Sequence, residues 1–598
     1  MVGQSPWTVV QWSAADFQPP LYYLVLDGWA KIFGSSEISL RGLSALAGVI
    51  VVSATFMVAR RILNAPAAWL SSVWLAAAPL AITFSQEVRM YMPVAAAVSL
   101  AVLFGLRWIE EAEVSQNPLK HSRRLLAGYV LAAVVGLYFQ YVAALGLTAI
   151  GITGLLRLRR NALRTWVIAN CIALALFAPW LPVLHYQLTI GHTATTAGVA
   201  AFAVLRTSLD SLLLGVDGLP ALTTLAASAL GVITFLGTIR MLTRGRDGWL
   251  PLLLVIVPII VVVLYAAWKH VFEVRYILVS LPGITLILGG GIELLLKTAA
   301  HLQSTVTRRF IVTIVLALAA MALLGSSFAA DIQYYVDPLH PNDNYRGLVA
   351  TIVKNAKPGD AIVLYAPGQN HVFDYYYHGP DRVIGVPLDR PPNQTLEYSR
   401  LDNLAQTHKR IWLVEYGQTE ADPRGIILQW FARHAYLTSH QWFGSVQLEL
   451  FRVDSGHGYT VPLDAHFAGG ITLKNVQLSS TILQPGETLG LTLVWTANQR
   501  IPISYTVFTH ILNKNNQVVA QHDGIPAGGT RPTNQWVPGQ VVQDLHGILL
   551  PKNIVPGTYQ IEVGLYQVDN GERDPVVNTQ GATIGNRVLV TTVRVGRD

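Results

Sequence analysis

Two short segments carry side chains suited to proton transfer at a polar substrate. One is Asp16-Phe17-Gln18-Pro19-Pro20-Leu21-Tyr22-Tyr23, the other Ser85-Gln86-Glu87-Val88-Arg89-Met90-Tyr91. Each supplies a carboxylate, Asp16 or Glu87, that could take the proton of a hydroxyl. Gln18, Tyr22, Tyr23, Arg89 and Tyr91 could hydrogen-bond the substrate around it. A third segment runs from Lys269 to Tyr276 and contains Arg275. Arg275 can grip a phosphate by a two-pronged fork and Lys269 can attract it as a point charge. Plainer readings stand beside these. Tyr is an ordinary anchor at membrane interfaces, and Lys and Arg near span ends snorkel to water. His185, His192 and His270 follow no metal-ligand spacing, so neither a metal nor a cofactor is expected.

The elements that must position these groups are apolar. Of 598 residues, 52% are hydrophobic and 13% charged, and the mean hydropathy is +0.41. A soluble domain carries about 25% charged residues, so the shortage points to a membrane protein. The formal net charge of +7 gives no reason to expect nucleic-acid binding, because the cations sit mostly in short loops between apolar runs. The single cysteine, Cys171, excludes an intramolecular disulfide and is expected as a small core residue.

A helix needs roughly 20 apolar residues to cross the bilayer. Runs of this kind occupy 37–61, 66–84, 90–109, 163–184, 222–241, 248–268, 275–297 and 308–330. The stretch 124–157, broken at Tyr138-Phe139-Gln140-Tyr141, reads as two short helices, for about ten spans. One set of loops gathers the cations: Arg60 and Arg61; Arg123 and Arg124; Arg157, Arg159 and Arg160; Arg244 and Arg246; Arg308 and Arg309. The positive-inside rule assigns that set to the cytoplasm, and with it both acidic segments, Lys269–Tyr276 and everything after 331 to the outer face. Residues 1–18 read as a flexible tail without a signal-peptide core. Residues 19–34 suit a helix lying along the interface with Pro at its start, and 202–214 a second one.

After 331 the composition turns soluble. Between about 345 and 455, strand-like and helical pieces alternate (361–365, 371–377, 382–386, 396–408, 410–415, 425–434), which implies a small parallel α/β layer closed by a hairpin at 447–453. Residues 465–598 show short alternating strands between Pro-Gly turns, a β-sandwich pattern, with Trp495 and Trp536 expected in its core. The organisation expected is thus 1–36, an outer juxtamembrane segment; 37–330, a polytopic α-helical membrane domain; 340–455, a small α/β domain; and 460–598, a β-sandwich, the last two extracytoplasmic.

The ordered set acidic-x-x-Pro-Pro-Leu-Tyr-Tyr, Glu37 through Arg41, Ser-Gln-Glu-x-Arg-Met-Tyr and a late-span Arg-Tyr resembles the GT-C membrane glycosyltransferases. Within them it is most similar to the dolichyl-phosphate-mannose protein mannosyltransferase and aminoarabinose-transferase-like (PMT/ArnT-like) group, over about 1–330 by span count. The resemblance implies a sugar donor on a polyprenyl phosphate entering from the membrane, and an acceptor that is a lipid, a protein or a glycan. It implies transfer at the outer face of the cell membrane by inverting displacement. Glu87 then fills the second-loop acidic position, where it would orient the acceptor or polarise the site, with Arg89 and Tyr91 beside it. Asp16, Gln18, Pro19 and Pro20 match a segment usually written Asp-x-His-Pro-Pro, Gln18 replacing His. Arg275 matches the cation that faces the donor phosphate. The family's first helix, followed by a Trp-x-Asp-Glu-like segment holding the base, has no counterpart here. The expectation is a start downstream of that helix; Asp16 serving as base and an inactive relative are the other readings. Two rivals remain: a transporter or lipid flippase, which would place polar groups near the bilayer midplane, and a non-catalytic envelope anchor displaying glycan-binding modules.

Overall fold

The computed structural model describes residues 3–15, 18–114, 123–190, 201–215, 222–270, 272–300, 305–336, 343–389, 391–417, 421–453 and 458–596. The chain divides into two compact units, Met1–Val336 and Asp337–Asp598.

The first unit is helical. Its order is α1 (Pro6–Ala15), α2 (Leu21–Phe33), α3 (Glu37–Ile62), α4 (Ala65–Ala77), α5 (Pro79–Gln86), α6 (Tyr91–Val114), α7 (Arg123–Phe139) and α8 (Ala143–Arg157). There follow α9 (Arg160–Phe177), α10 (Leu181–Ile190), α11 (Ala201–Leu214), α12 (Leu222–Leu242), α13 (Trp249–Lys269), α14 (Leu281–Ala300) and α15 (Thr305–Val336). Local signals set the ends. Ser36 caps α3 by accepting from Ser39 N, Glu37 sits in its first turn, and Arg60 and Arg61 close its last, in line with the helix dipole. Asn64 caps α4 in the same way. Pro79, which has no N–H to donate, starts α5 after a 47° bend from α4.

Six of the described helices are long and apolar enough to cross a membrane, seven if α4 and α5 make one bent span. That is fewer than the ten expected. Helices α7 and α8, of 17 and 15 residues, fall short of a full crossing on their own. Helices form at both places where interfacial ones are expected, as α2 and α11. Two expectations need correction. Residues 6–15 form a helix rather than a flexible tail: Ser5 accepts from Thr8 N at 3.1 Å and Pro6 opens the first turn, while Val9 and Ser13 are buried. Cys171 is exposed on α9, not in the core. A spanning helix is apolar on its outer face too, so hydrophobicity there does not report burial.

The cations of the basic loops are tied together at the helix ends remote from Glu87. Arg61 pairs with Glu110, and Arg157 with Glu113 and Asp247. Glu293, nearly fully buried, takes Arg244 at 2.7 Å, Lys297 at 3.1 Å and Arg240 at 3.3 Å.

The second unit joins two layers. In the first, β1 (Asp360–Tyr365), β2 (Arg382–Val386) and β3 (Arg410–Glu415) run parallel, and β4 (Ala435–Phe443) and β5 (Val446–Val453) close the sheet as a hairpin, in the order β2-β1-β3-β5-β4. Helices α16 (Tyr345–Asn355), α17 (Asn370–Tyr376), α18 (Gln394–Thr407) and α19 (Ile426–His434) cover it. The sandwich follows, with strands β6 (Tyr459–Phe467), β7 (Ile471–Leu478), β8 (Ile482–Leu483), β9 (Thr488–Ala497), β10 (Thr506–Leu512) and β11 (Val518–Gly524). It ends with β12 (Val541–Leu549), β13 (Gly557–Tyr566), β14 (Val576–Val577), β15 (Thr583–Gly585) and β16 (Val588–Val595). Its sheets run β11-β10-β13-β16-β8 and β12-β9-β7-β6-β14-β15 around a core that includes Trp495 and Trp536.

The two layers are latched by one aromatic. Gly490 of β9 and Gly547 of β12 lie directly opposite each other, and the missing side chains leave a slot for the Tyr436 ring of β4. Tyr436 Oη meets Thr492 Oγ1 at 3.1 Å, and Arg452 Nη1 donates to Thr488 O at 2.8 Å. A Cβ on Gly547 would stand 2.3 Å from Leu437 O, a backbone atom that cannot swing away. Gly547→Val is therefore expected to cost about 1–3 kcal/mol, read as a lower unfolding midpoint of this unit by calorimetry.

A second buried feature gives the unit a pH dependence. Glu415 and Glu449, near neighbours on β3 and β5, face the same side of the sheet, with Gln447 Nε2 donating to Glu449 Oε1 at 3.0 Å. Burial, then the neighbouring Glu415 carboxyl, pushes Glu449 up to about 9. Between the ordinary glutamate value and that figure the folded state holds a proton that the unfolded state has lost. Stability is thus greatest at the acid end of this window and falls as pH rises through it. Unfolding midpoints measured from pH 5 to 9 are expected to decline in wild type and to decline less in Glu449→Gln.

Candidate active site

Helix α5 ends at Gln86 and α6 begins at Tyr91, so Glu87–Met90 form a tight link between two helix ends. Ser44 on α3 pins that link. Its hydroxyl donates to Glu87 O at 2.6 Å and lies 3.4 Å from Arg89 O. Glu87 is thereby held half-buried. Burial raises its pKa above the ordinary carboxylate range, and the Arg89 and Arg275 guanidiniums pull it back down. Arg89 itself is exposed.

Arg275 reaches this place from far along the chain. A short 3-10 turn, Val274–Ser280, leads into α14 and aims Arg275 at α6. Arg275 Nη1 donates to Tyr91 Oη at 2.7 Å, the two residues lying 184 apart in sequence. Its guanidinium is 5.3 Å from the Tyr91 ring centre, and Nη2 pairs with Glu273 at 2.8 Å. Phe84 packs edge-on against Tyr91 and fixes its ring.

Helix α2 supplies the third side. Tyr22 is buried, and its hydroxyl feels Ser44, Arg89 and Glu87. Tyr23 packs edge-on to Tyr22 at 5.4 Å and donates to Gln18 Oε1 at 2.7 Å. The structure therefore brings Tyr22, Glu87, Arg89, Tyr91 and Arg275 together, with Tyr23 and Gln18 adjoining. Lys269 and Tyr276 sit less directly. Lys269, the last residue of α13, lies 4.3 Å over the Trp268 ring, and Tyr276 packs against Tyr265. Asp16 lies outside the described residues. The helix preceding it is anchored all the same: Gln187 Nε2 donates to Ser13 O and Ala14 O, at 3.1 and 3.2 Å. Gln187 in turn accepts from Tyr141 Oη at 2.5 Å.

Beside Glu87 an apolar cavity of about 350 Å³ runs between α3 and the α4–α5 bend. Gly48, Val52, Leu75 and Ala81 line it, and Ser85 and Gln86 stand at its polar end. A Cβ at Gly48 would meet Ser85 Oγ at 2.4 Å, so a side chain there would require the Ser85 hydroxyl to turn away.

Residues 17–183 match the family model described as dolichyl-phosphate-mannose-protein mannosyltransferase. The family resemblance is borne out over this segment. It contains Gln18, Tyr22, Tyr23, Glu87, Arg89 and Tyr91, and stops short of Arg275. No curated protein sequence matches the chain. Solved structures resemble it loosely. ArnT from Cupriavidus metallidurans in the apo state is 16% identical, with 75% of this chain and 94% of that one covered at a TM-score of 0.48. The Archaeoglobus fulgidus oligosaccharyltransferase is 10% identical over 95% of this chain and 90% of that one, also at 0.48. The arabinofuranosyltransferase AftD from Mycobacteria is 13% identical over 99% and 57%, at 0.41.

Proposed function

We propose that this protein is a multi-pass membrane glycosyltransferase. It moves a sugar from a polyprenyl-phosphate-linked donor to an acceptor hydroxyl on a lipid, a protein or a glycan. The site and the soluble unit lie on the extracytoplasmic side of the cell membrane in this reading. The observation that carries it is the hydrogen bond from Arg275 to Tyr91, which brings a half-buried cation to the segment holding Glu87. A carboxylate for the acceptor proton and a guanidinium for a leaving phosphate then stand close enough for each to feel the other's charge.

In the reaction, the acceptor oxygen attacks the anomeric carbon as the bond from that carbon to the phosphate oxygen breaks. In this reading Glu87, and not the first-loop residue that the resemblance implies as base, takes the acceptor's proton, a contribution of about 10²–10⁴ in rate. The phosphate leaves carrying negative charge, which Arg275 and Arg89 stabilise, with Lys269 as a more distant cation. Tyr22, Tyr23, Tyr91 and Gln18 offer hydroxyl and amide groups to the sugar. The apolar cavity by Gly48 suits the isoprenoid chain.

The transporter reading is less favoured because the described charges gather at helix ends and not midway along the spans. Purified protein in proteoliposomes, supplied with polyprenyl-phosphate sugars labelled in the sugar, tests the proposal. Label is expected to pass to an acceptor from the lipid-linked donor and not from a nucleotide sugar. Label that only crosses the bilayer, still attached to lipid, would establish the transporter instead.

A further inference from the structure

A second cavity, of about 480 Å³, lies at the seam where α19 meets the β-sandwich. That is within the range of small-molecule sites, which favour such seams. Helix α19 buries Ile427, Trp430 and Phe431 in the α/β core. Gln429 and Arg433, one turn apart, consequently face away from that core and line the cavity. The facing wall is the loop after β11 with the start of β12, contributing Thr530, Arg531, Val541 and Gln543.

This wall is rigid. Ala527 adopts a left-handed backbone (φ 53°), which a non-glycine residue takes up only when its surroundings enforce it. Its N–H donates to Asp544 Oδ1 at 2.8 Å, and Thr530 Oγ1 donates to Ala527 O at 2.7 Å. Trp536 Nε1 holds Arg531 O at 2.9 Å. On the other side, a Cβ built on Gly528 would stand 3.9 Å from Ala432 Cβ of α19, and the Tyr436 latch keeps the two layers in register. The crevice is thus formed before any ligand arrives.

Its charge is one-sided. Arg433 and Arg531 line the cavity with no ion pair among the described residues, and no carboxylate lines it with them. The acid behind the wall, Asp544, is buried and committed to His546 Nε2 and Ala527 N. Two exposed arginines lining one crevice favour an anion there, since each guanidinium presents a fork matched to a carboxylate or phosphate. Gln543 and Thr530 add neutral hydrogen-bonding groups, and Val541 adds an apolar patch of the kind that meets a sugar's C–H face.

We propose that this seam binds an anionic saccharide, one bearing a carboxylate or a phosphate. The proposal does not depend on the transferase reading. Isothermal titration of the full-length protein in detergent micelles tests it. The probes are trigalacturonate, glucose 1-phosphate, neutral galactotriose and inorganic phosphate. Wild type is expected to bind trigalacturonate, glucose 1-phosphate or both, with galactotriose at least ~10-fold weaker. The double variant Arg433→Ala/Arg531→Ala should lose at least ~10-fold in affinity, as expected for charge-assisted hydrogen bonds. Arg433→Lys/Arg531→Lys should retain part of it, because the charge stays while the fork is lost. Preference between the two anionic sugars tells carboxylate from phosphate as the group recognised. Three results overturn the proposal: no binding of either anionic sugar, equal binding by the double alanine variant, or inorganic phosphate bound as tightly as both sugars.

Discussion

Glu87→Gln is expected to slow sugar transfer by about 10²- to 10⁴-fold while the protein stays folded. The substitution keeps the shape and leaves Ser44 bonded to the backbone oxygen of residue 87, so the link between α5 and α6 should hold. What disappears is the capacity to accept a proton. Donor binding should change little, because the phosphate partners are Arg275 and Arg89. The pH profile adds a second readout. Burial raises the Glu87 pKa, so transfer by wild type should climb as pH passes through that raised value and the carboxylate forms. The climb should be absent in Glu87→Gln. Asp16→Asn, made in parallel, decides which carboxylate takes the proton. A loss there equal to that of Glu87→Gln, with the climb kept in Glu87→Gln, would move the role to Asp16.

Arg275→Ala is expected to lower transfer by about 10²- to 10³-fold, the scale seen when a group that stabilises developing negative charge is removed. Arg275→Lys should recover only part, since a point charge replaces the fork that spans Tyr91 and Glu273. This variant carries its own signature. The Arg275 charge lowers the Glu87 pKa, so its removal leaves burial opposed by Arg89 alone. The acid limb of the activity profile should shift to higher pH in Arg275→Ala and stay near its wild-type position in Arg275→Lys. A merely structural role for Arg275 would reduce activity without moving that limb.

The parts of this arrangement that show in the sequence are those with a local signature. Gln86-Glu87-x-Arg89 and Pro19-Pro20 sit at the ends of apolar runs, and a polar cluster there is visible without any structure. The strands at 382–386 and 410–415 begin and end where alternation and turn residues place them. Residues that act through long-range contact leave no such mark. Ser44 lies inside an apolar helix like many other serines, and only the fold shows that it fastens the Glu87 link. Glu273 looks like a solvated neighbour until its ion pair with Arg275 is seen. Gln187 becomes meaningful because it holds the end of α1 by two carbonyls. For α1 itself a signal was present in Ser5-Pro6, a cap followed by proline at the first helical position, but ten residues of modest periodicity disguised it. The Tyr436 latch depends on two glycines paired across strands, a register that no single strand discloses.

The most direct test of the central claim compares wild type and Glu87→Gln in one proteoliposome assay. Transfer from a labelled polyprenyl-phosphate sugar and retention of the lipid-linked donor are read on the same samples. The account predicts transfer by wild type, a loss of at least ~100-fold in Glu87→Gln, and donor retention nearly unchanged between the two. Equal transfer by both proteins would contradict it.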